Sequence, residues 1–238
     1  MYQEKVLIDS NEVDASLTLR LSSLFRIIQS VVMKHTEVLN VGTKETIDKG
    51  MLWVISRIRL EITRMPKYQE EIVCKTYPGK TILNMLFPRH FYIEDTKGNV
   101  IIRFSSIWAL IDKENRHPVS SAIIASRCIA ESHENELELP EKLEEKPAEL
   151  KEKRKIHYSD VDLNSHLNNT KYIELFSDLH NSDFYKEYNV SSLTLNYLKE
   201  IKEGDIVEVY SNNNEKEFVI VKCNGQTSFL GSIEYRKL

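Results

Sequence analysis

Glycine, proline and long apolar runs are what this sequence has least of. Its 238 residues include seven glycines and six prolines, too few for a collagen-like or low-complexity chain. No stretch reaches the roughly 18 to 20 consecutive apolar residues that a membrane-spanning helix needs. The first residues, Met1 to Lys5, are not a basic segment followed by an apolar one. We therefore expect a cytoplasmic protein with no membrane partner.

Cysteine is rare as well. The three cysteines, Cys74, Cys128 and Cys223, lie far apart and form no Cys-x-x-Cys pair. That spacing argues against a disulfide framework and against a zinc knuckle, so we expect buried thiols. The seven histidines show no metal-ligand spacing, and no metal or other cofactor is expected.

The formal net charge of −4 is unevenly distributed along the chain. Residues 131–152 contain nine Glu and three Lys, a local balance of −6, whereas the remaining 29 basic and 27 acidic residues give +2. No predicted helix has the basic face of a DNA-binding recognition helix, so no nucleic-acid partner is expected. Because Pro140 and Pro147 interrupt the acidic segment, it is typical of a solvated linker. We predict domains at residues 1–132 and 153–238, joined by an acidic linker at 133–152.

Apolar periodicity predicts the same order of elements in each half. Leu21, Leu24, Phe25, Ile28 and Val32 recur at helical spacing, with Ser22 or Ser23 as a cap. In the second half the helical positions are Tyr172, Leu175, Phe176 and Leu179. Alternating segments predict strands at 53–62, 72–77, 83–93 and 100–111, and at 192–198, 206–210, 217–223 and 228–236. Asn212-Asn213-Asn214 and Asn224-Gly225 are predicted turns. Each half is therefore a helix followed by an antiparallel meander, an α+β fold.

Short matches between the halves indicate an internal repeat. Val13-Asp14 with Leu19 parallels Val161-Asp162 with Leu167, each pair just before its helix. In the same way, residues 71–73 parallel residues 205–207. We interpret the chain as two copies of one helix-plus-sheet unit.

Motifs of several large enzyme classes are missing. The sequence has no Gly-x-Gly-x-x-Gly, no Gly-x-Ser-x-Gly and no His-Glu-x-x-His. Gly79-Lys80-Thr81 resembles the end of a phosphate-binding loop, but the earlier glycine of that loop is absent. Dinucleotide, serine hydrolase, zincin and nucleotide chemistries therefore lack support.

The polar run from Asp160 to Asn169, just before the second helix, is the richest candidate site. In an extended chain Asp162, Asn164 and His166 would point to one face. Free N–H groups at the helix start near Asn168 could polarise a carbonyl or bind an oxyanion. Capping and Asx-turns alone also explain such residues, so the pattern by itself leaves both interpretations open.

Several motifs together resemble a known family. They are Tyr158-Ser159-Asp160-x-Asp162-x-Asn164-x-His166-x-Asn168-Asn169, Leu195-x-Tyr197-x-Lys199-Glu200, Trp53-Val54-Ile55-Ser56-Arg57 and Ser105-Ser106-Ile107-Trp108. In these stretches, and in their order along nearly the whole chain, the sequence is similar to the acyl-acyl carrier protein thioesterases. The resemblance implies two tandem hotdog domains, each a long helix wrapped by an antiparallel sheet. It also implies hydrolysis of acyl-acyl carrier protein to free fatty acid, which ends chain elongation in fatty acid biosynthesis.

The resemblance also assigns roles to residues of the second half. It implies that Glu200 is the general base for water, that Asn164 and His166 orient the water or the thioester carbonyl, and that Asp162 supports them. Plant relatives often carry a cysteine directly after the glutamate, where this chain has Ile201. Around Ser16 and Thr18 the first half lacks an Asn-x-His, so one active site per chain is expected.

The first half is implied to shape the acyl pocket. Expected lining residues are Leu24, Phe25, Ile28, Trp53, Ile55 and Trp108, although such residues are equally typical of a core. Candidate cations for docking the acidic carrier protein are Arg57, Arg59, Arg64, Lys67, Lys199 and Lys202, which an ordinary solvated surface would also explain. A monomer or a loose homodimer is expected.

Two other functions stay open at this point. A hotdog dehydratase also uses a histidine and a carboxylate, but it would act on a 3-hydroxyacyl thioester. A non-catalytic acyl-thioester-binding protein would bind the same ligand without turnover.

Overall fold

A computed structural model describes residues 1–212 and 216–238. The chain divides into two compact units, Met1–Pro140 and Glu141–Leu238. The turn predicted at Asn212-Asn213-Asn214 lies partly outside the described residues.

The first unit is an antiparallel sheet with one long helix. Its elements are β1 (Tyr2–Leu7), a 3-10 turn (Ser10–Glu12), α1 (Leu21–Val38), α2 (Thr43–Ile47), β2 (Met51–Ile62), β3 (Glu71–Pro78), β4 (Leu86–Glu94), β5 (Val100–Asp112) and α3 (Ala122–Arg127). The strand order is β1-β3-β4-β5-β2. The predicted caps Ser22 and Ser23 are wrong: both lie inside α1, which starts after Arg20 without a side-chain cap.

The second unit repeats this plan with a shorter helix. Its elements are β6 (Glu149–Lys155), a 3-10 turn (Tyr158–Asp160), α4 (Asn169–Ser177), α5 (Ser182–Glu187), β7 (Tyr188–Tyr197), β8 (Ile206–Ser211), β9 (Lys216–Cys223) and β10 (Gln226–Lys237). The strand order is β7-β10-β9-β8-β6. Helix α4 has nine residues against 18 in α1 and ends before Leu179, so the expected long helix is present only in the first unit.

Most residues of the acidic segment are exposed, as those of a solvated linker would be, but a few of its apolar residues are buried or packed. Residues 149–152 already belong to edge strand β6, whose charged residues are typical of a protected sheet edge. Leu137 and Pro140 are buried in the first unit. In the second unit Leu143 and Ala148 pack on a cluster of Phe218, Ile220 and Leu230. These apolar residues, spaced among the glutamates, anchor the segment to the sheets.

The core of the first unit lies between α1 and one face of its sheet. Helix α1 buries Leu24, Phe25 and Ile28, and the Phe25 ring meets the edge of Phe104 at 6.1 Å. Because side chains alternate along a strand, every second residue of β5 shares the face of Phe104. The same alternation places Arg89 of β4 on this helix-facing side, because Phe91 also contacts Phe104.

The internal repeat holds at the level of individual hydrogen bonds. Ile8 N–H donates to Glu70 O at 3.0 Å, and Ile156 N–H donates to Asp205 O at 2.9 Å. Glu70 therefore corresponds to Asp205, so the predicted alignment of Glu71 with Asp205 is wrong by one residue. Two short tripeptides could not fix this register.

Each unit buries one charged side chain at the corresponding position of its sheet. The repeat makes Thr76 of β3 equivalent to Ser211 of β8. Thr76 pairs with Phe91 in its own sheet and Ser211 pairs with Val219 in its own, so Arg89 of β4 and Glu217 of β9 are equivalent positions. Arg89 contacts His35 and Thr76, whereas Glu217 accepts hydrogen bonds from His180 at 2.8 Å and Ser211 at 2.5 Å. The two positions share a histidine and a hydroxyl partner but carry opposite charges.

Glu217 is predicted to stabilise the folded protein above acidic pH. Burial alone raises its pKa, but hydrogen bonds from His180, Ser211 and Tyr235 outweigh burial and hold the pKa below its usual range. A lowered folded pKa gives stability that is present above the unfolded pKa of about 4.3 and is lost as pH falls through the folded pKa. We expect Glu217→Gln to lower the free energy of unfolding by about 1 to 3 kcal/mol near neutral pH.

Urea unfolding at a series of pH values checks this. Between about pH 6 and about pH 3, wild-type stability should fall further than that of Glu217→Gln, because only the wild type loses this carboxylate. Parallel pH profiles for the two proteins would contradict the prediction.

Candidate active site

A tight turn before α4 positions the candidate residues. Val161 and Leu167 form a β-bridge, and the Asp162 N–H donates to His166 O at 2.8 Å. The Asp162 carboxylate oxygen Oδ1 accepts from the N–H groups of Asn164 at 2.8 Å and His166 at 3.4 Å. Ser165 has φ 62°, so the segment is not extended and the predicted common face is wrong. The Asp162 side chain instead fixes the conformation of the turn.

This turn brings His166 next to Glu200. The His166 Nε2 atom lies 3.3 Å from Glu200 Oε2, with side-chain exposures of 18% and 39%. Glu200 follows strand β7, and the backbone around it is held by Leu167 N–H, which donates to Ile201 O at 2.8 Å. Two of the predicted residues therefore meet, half-buried and within reach of solvent. Asn164 is partly buried in the same turn.

Tyr172 joins the helix to the strand end that carries Glu200. Its hydroxyl lies 3.5 Å from Lys199 O, and its ring stacks on Phe229 with centroids 5.0 Å apart. Burial raises the pKa of Tyr172, and the nearby Cys223 and Asp162 raise it further. Apolar periodicity predicted that Tyr172 lies on the buried face of the second helix, and it did not predict the contact of the hydroxyl with Lys199 O.

Asp160 stabilises the backbone that leads into this turn. Its side chain is only 5% exposed and lies 3.6 Å from Arg154 and 3.7 Å from Lys171. It also accepts from His157 N–H at 3.0 Å. A buried carboxylate with two cations and a backbone donor holds the 3-10 turn that precedes the site.

The start of α4 offers less to an oxyanion than the sequence indicated. Asn168 N–H donates to Asp160 O at 2.9 Å. Thr170 N–H donates to the Asn168 side chain at 2.9 Å, and Lys171 N–H donates to Asn168 O at 2.8 Å. These three donors are engaged within the chain, and the oxyanion contact with N–H groups near Asn168 stays a prediction.

The first unit has the same turn without the reactive side chains. Asp14 Oδ1 accepts from the N–H groups of Ser16 at 2.8 Å and Thr18 at 3.1 Å. Thr18 stands where the second unit has His166, and Ser16 stands where it has Asn164. Leu19 N–H donates to Pro66 O, so the buried Met65 occupies the position of Glu200. The first turn therefore has the bracing aspartate but no counterpart of the His166 imidazole or the Glu200 carboxylate.

No cysteine is suited to act as a nucleophile at neutral pH. Burial raises the pKa of Cys74 to about 12 and that of Cys223 to about 11. It also raises the pKa of Cys128. A thiol attacks as the thiolate, which these pKa values disfavour. Ile201, at the cysteine position of plant relatives, is fully buried.

The expected acyl-lining residues lie on both sides of the helix–sheet interior of the first unit. Leu24, Phe25 and Ile28 are on α1 and Ile55 is on β2, all buried. Trp53 and Trp108 pack on one apolar cluster with Phe87. Both indole N–H groups are bonded, Trp53 to Val41 O at 2.8 Å and Trp108 to Ser106 Oγ at 3.0 Å.

The candidate docking cations differ in their surroundings. Arg59 is paired with Glu61 at 3.1 Å and Glu138 at 2.9 Å, and Arg64 is paired with Glu70 at 2.6 Å. Lys67 donates to Thr18 at 2.7 Å, and Lys199 donates to Gln226. Arg57 is half-buried, and Lys202 is exposed opposite His166. Arg59 and Arg64 are thus largely committed to partners within the chain.

Residues 1–212 and 216–238 show neither a metal-binding group of side chains nor a membrane-spanning helix. In that part of the chain no group of three or more His, Cys, Asp and Glu side chains is arranged to hold a metal ion. Over the same residues, no helix combines the length and the apolar character needed to cross a membrane.

Both halves of the sequence match family models. Residues 1–125 match the acyl-ACP thioesterase N-terminal domain, and residues 143–237 match the acyl-ACP thioesterase C-terminal domain. The chain belongs to the acyl-ACP thioesterase family. The resemblance inferred from the motifs is therefore confirmed.

Curated plant members of this thioesterase family are distant relatives. A chloroplastic palmitoyl-acyl carrier protein thioesterase of Cuphea hookeriana is 22% identical over 226 residues, which cover 87% of this chain and 54% of the relative. A chloroplastic oleoyl-acyl carrier protein thioesterase 2 of Arabidopsis thaliana is 25% identical over 250 residues, covering 94% of this chain and 66% of the relative. The chain spans about half the length of the curated relatives it matches first.

Solved thioesterase structures share the fold over the whole chain. An acyl-ACP thioesterase from Bacteroides thetaiotaomicron superposes with a TM-score of 0.90 at 22% identity, covering 99% of this chain and 97% of the other. The 12:0-ACP thioesterase from Umbellularia californica gives 0.85 at 19% identity, covering 100% and 97%. The expected α+β fold of tandem hotdog domains is confirmed.

The matched turns give a stability prediction. Asp14→Ala and Asp162→Ala each remove a carboxylate that accepts two backbone hydrogen bonds, so each should lower the free energy of unfolding by about 1 kcal/mol. Chemical denaturation of both variants checks this. Since both carboxylates accept the same two backbone bonds, a loss confined to one variant would contradict their equivalence.

Proposed function

We propose that the protein hydrolyses the thioester of acyl-acyl carrier protein and releases a free fatty acid. The observation that supports the proposal is the His166–Glu200 pair, in which Nε2 and Oε2 lie 3.3 Å apart beside the turn closed by Asp162. The chain belongs to the thioesterase family. The acyl carrier protein is the proposed partner, fatty acid biosynthesis the proposed process and the cytoplasm the proposed location.

Glu200 acts as the general base in this mechanism. Its carboxylate takes a proton from water as the water oxygen bonds to the thioester carbon and the carbonyl electron pair moves onto oxygen. When the tetrahedral intermediate collapses, the carbon–sulfur bond breaks and the thiolate leaves. The proton held by Glu200 then passes to sulfur, so acid and thiol are the products.

The remaining residues orient the reactants. His166 can hold the attacking water or donate to the carbonyl oxygen as charge develops there, because its ring lies beside Glu200. Asn164 is assigned the same kind of contact from the adjacent position of the turn. Asp162 is a positioning residue, since its carboxylate bonds to the backbone of the turn.

The two units are assigned different tasks. The second unit, which has the base and the imidazole, is proposed to act on the thioester. The interior between α1 and the sheet of the first unit is proposed to take the acyl chain, because its apolar lining matches an alkyl tail. At the two matched turns, the second unit has the His166–Glu200 pair where the first has Thr18 and Met65, which supports one site per chain.

One assay separates this activity from the two alternatives. Purified protein is incubated with acyl carrier proteins that bear saturated and 3-hydroxyacyl chains, and free acid, free thiol and enoyl thioester are measured. Hydrolysis releases acid and thiol together. A dehydratase would give enoyl thioester without free thiol, and a binding protein would give none of these products.

Substitution tests the assigned residues. Glu200→Gln and His166→Ala should each lower kcat on acyl carrier protein thioesters by about 10²-fold or more, because each removes a proton-transferring or orienting group. Glu203→Gln is the matched control: it neutralises an exposed carboxylate three residues away and should retain wild-type kcat. Wild-type rates in folded Glu200→Gln and His166→Ala would remove both residues from the mechanism.

Carrier recognition is proposed to use exposed cations near the site, chiefly Lys199 and Lys202. Electrostatic docking weakens as salt screens the charges. KM for acyl-acyl carrier protein should therefore rise with ionic strength more steeply than KM for a small acyl thioester without the carrier. Steady-state kinetics over a salt series checks this, and equal slopes for the two substrates would refute electrostatic docking.

A further inference from the structure

Arg89 is a buried cation inside the first unit with neutral partners. The residue is 6% exposed, and burial lowers its pKa only to about 10, so it stays charged at neutral pH. Its Nη1 atom lies 2.9 Å from His35 Nδ1 and 3.3 Å from Thr76 Oγ1. Burial, followed by the Arg89 charge, lowers the pKa of His35 to about 4, so its ring is neutral.

Arg89 has no acidic partner among residues 1–212 and 216–238. No carboxylate there forms an ion pair with it, and the nearby Cys128 is a neutral thiol because burial raises its pKa. A guanidinium carries five N–H donors, whereas the two side-chain bonds of Arg89 within this part of the chain both involve Nη1. A buried charge without a counter-charge is costly.

The second unit shows that this fold can satisfy a charge at the same place. Glu217, at the corresponding position, accepts from His180, Ser211 and Tyr235. That carboxylate has donors for both of its oxygens. The Arg89 site also has a histidine and a hydroxyl partner, His35 and Thr76. Both partners are neutral, and both contact the same guanidinium nitrogen, Nη1. The contrast indicates that the Arg89 site is built for a group from outside the chain.

The position of Arg89 indicates which ligand reaches it. On β4 it follows Phe87 on the helix-facing side, and it pairs with Ser106 of β5. Phe87 packs against Trp53 with ring centroids 4.9 Å apart, and Trp108 donates to Ser106. Arg89 thus lies on the same face of the sheet as Trp53 and Trp108, which are assigned to the acyl chain.

We propose that Arg89, with His35 and Thr76, binds a carboxylate carried at the far end of the acyl chain. A guanidinium recognises a carboxylate through two parallel N–H bonds and neutralises its charge. The preferred substrates are then acyl carrier protein thioesters of dicarboxylic acids. This inference rests on the proposed thioesterase function and on the acyl-binding task of the first unit.

Matched substrate pairs test the proposal. Acyl carrier proteins are loaded, over a series of chain lengths, with acyl groups that end in a methyl group or in a carboxylate. At one or more of these lengths, wild-type kcat/KM should be about tenfold or more higher for the carboxylate chain than for the methyl-ended chain. Arg89→Met should abolish that preference, and Arg89→Lys, which keeps the charge, should retain part of it.

Glu217→Gln is the matched control. It removes a buried charge from the corresponding position of the second unit, so it should leave the preference unchanged. A second readout needs no turnover: free dicarboxylic acids should raise the Tm of the wild type more than monocarboxylic acids of equal length, and Arg89→Lys should reduce this difference.

The outcomes are distinct. If the wild type favours methyl-ended chains at every length, the proposal is overturned, and a gain of longer alkyl substrates in Arg89→Met would then make Arg89 a limit on chain length. If Arg89→Met does not fold, the wild-type preference and the Arg89→Lys ratio still decide. Absence of hydrolysis with every chain would refute the proposed function itself, separately from the ligand of Arg89.

Discussion

The candidate site depends on one carboxylate that bonds to its own backbone. Asp162 accepts from two N–H groups within four residues, and this closes a turn that an unbraced chain would leave mobile. A β-bridge also joins His166 in this turn to Lys202, two residues after Glu200. The His166 ring is therefore held next to Glu200. The proposed reactive pair needs a well-ordered loop, and the Asp162 carboxylate braces this loop through its two backbone bonds.

The same brace in the first unit shows that the turn forms without the histidine and the glutamate of the second unit. Asp14 makes equivalent bonds, yet the positions of the imidazole and the carboxylate hold Thr18 and Met65. Structure and chemistry are therefore separable in this fold. Both units have the bracing aspartate, whereas the proposed reaction uses three further side chains, Asn164, His166 and Glu200, in one of them.

Much of the fold was predictable because apolar spacing reports burial directly. Both principal helices and all eight strands of the two meanders were placed near their observed bounds. Strands β1 and β6 were missed because, as sheet edges, they lack a continuous apolar face; β6 reads as a charged run. The few apolar contacts of the acidic segment were missed for a similar reason, since residues such as Leu143 stand in a stretch whose composition is that of a linker.

The site was predictable in its members but not in its geometry. Motif resemblance selected His166 and Glu200, 34 positions apart, which no local pattern could have joined. The extended arrangement inferred for Asp162, Asn164 and His166 failed because Ser165 adopts a left-handed backbone conformation, a choice that the turn imposes and the residue type does not announce. Tyr172 and Arg89 lay hidden because each occupies a position that reads as ordinary core.

The shortened helix of the second unit has a consequence for how such a chain can vary. Leu167 stands 148 positions after Leu19, but Lys202 stands only 135 positions after Lys67, so the second copy is 13 residues shorter between these points. This difference in length falls beyond the start of α4, where the Phe184 ring stacks on His180 and the Tyr235 ring meets His180 edge-on. Insertions and deletions can thus accumulate at the distal end of the helix, leaving the bracing contacts at its other end untouched.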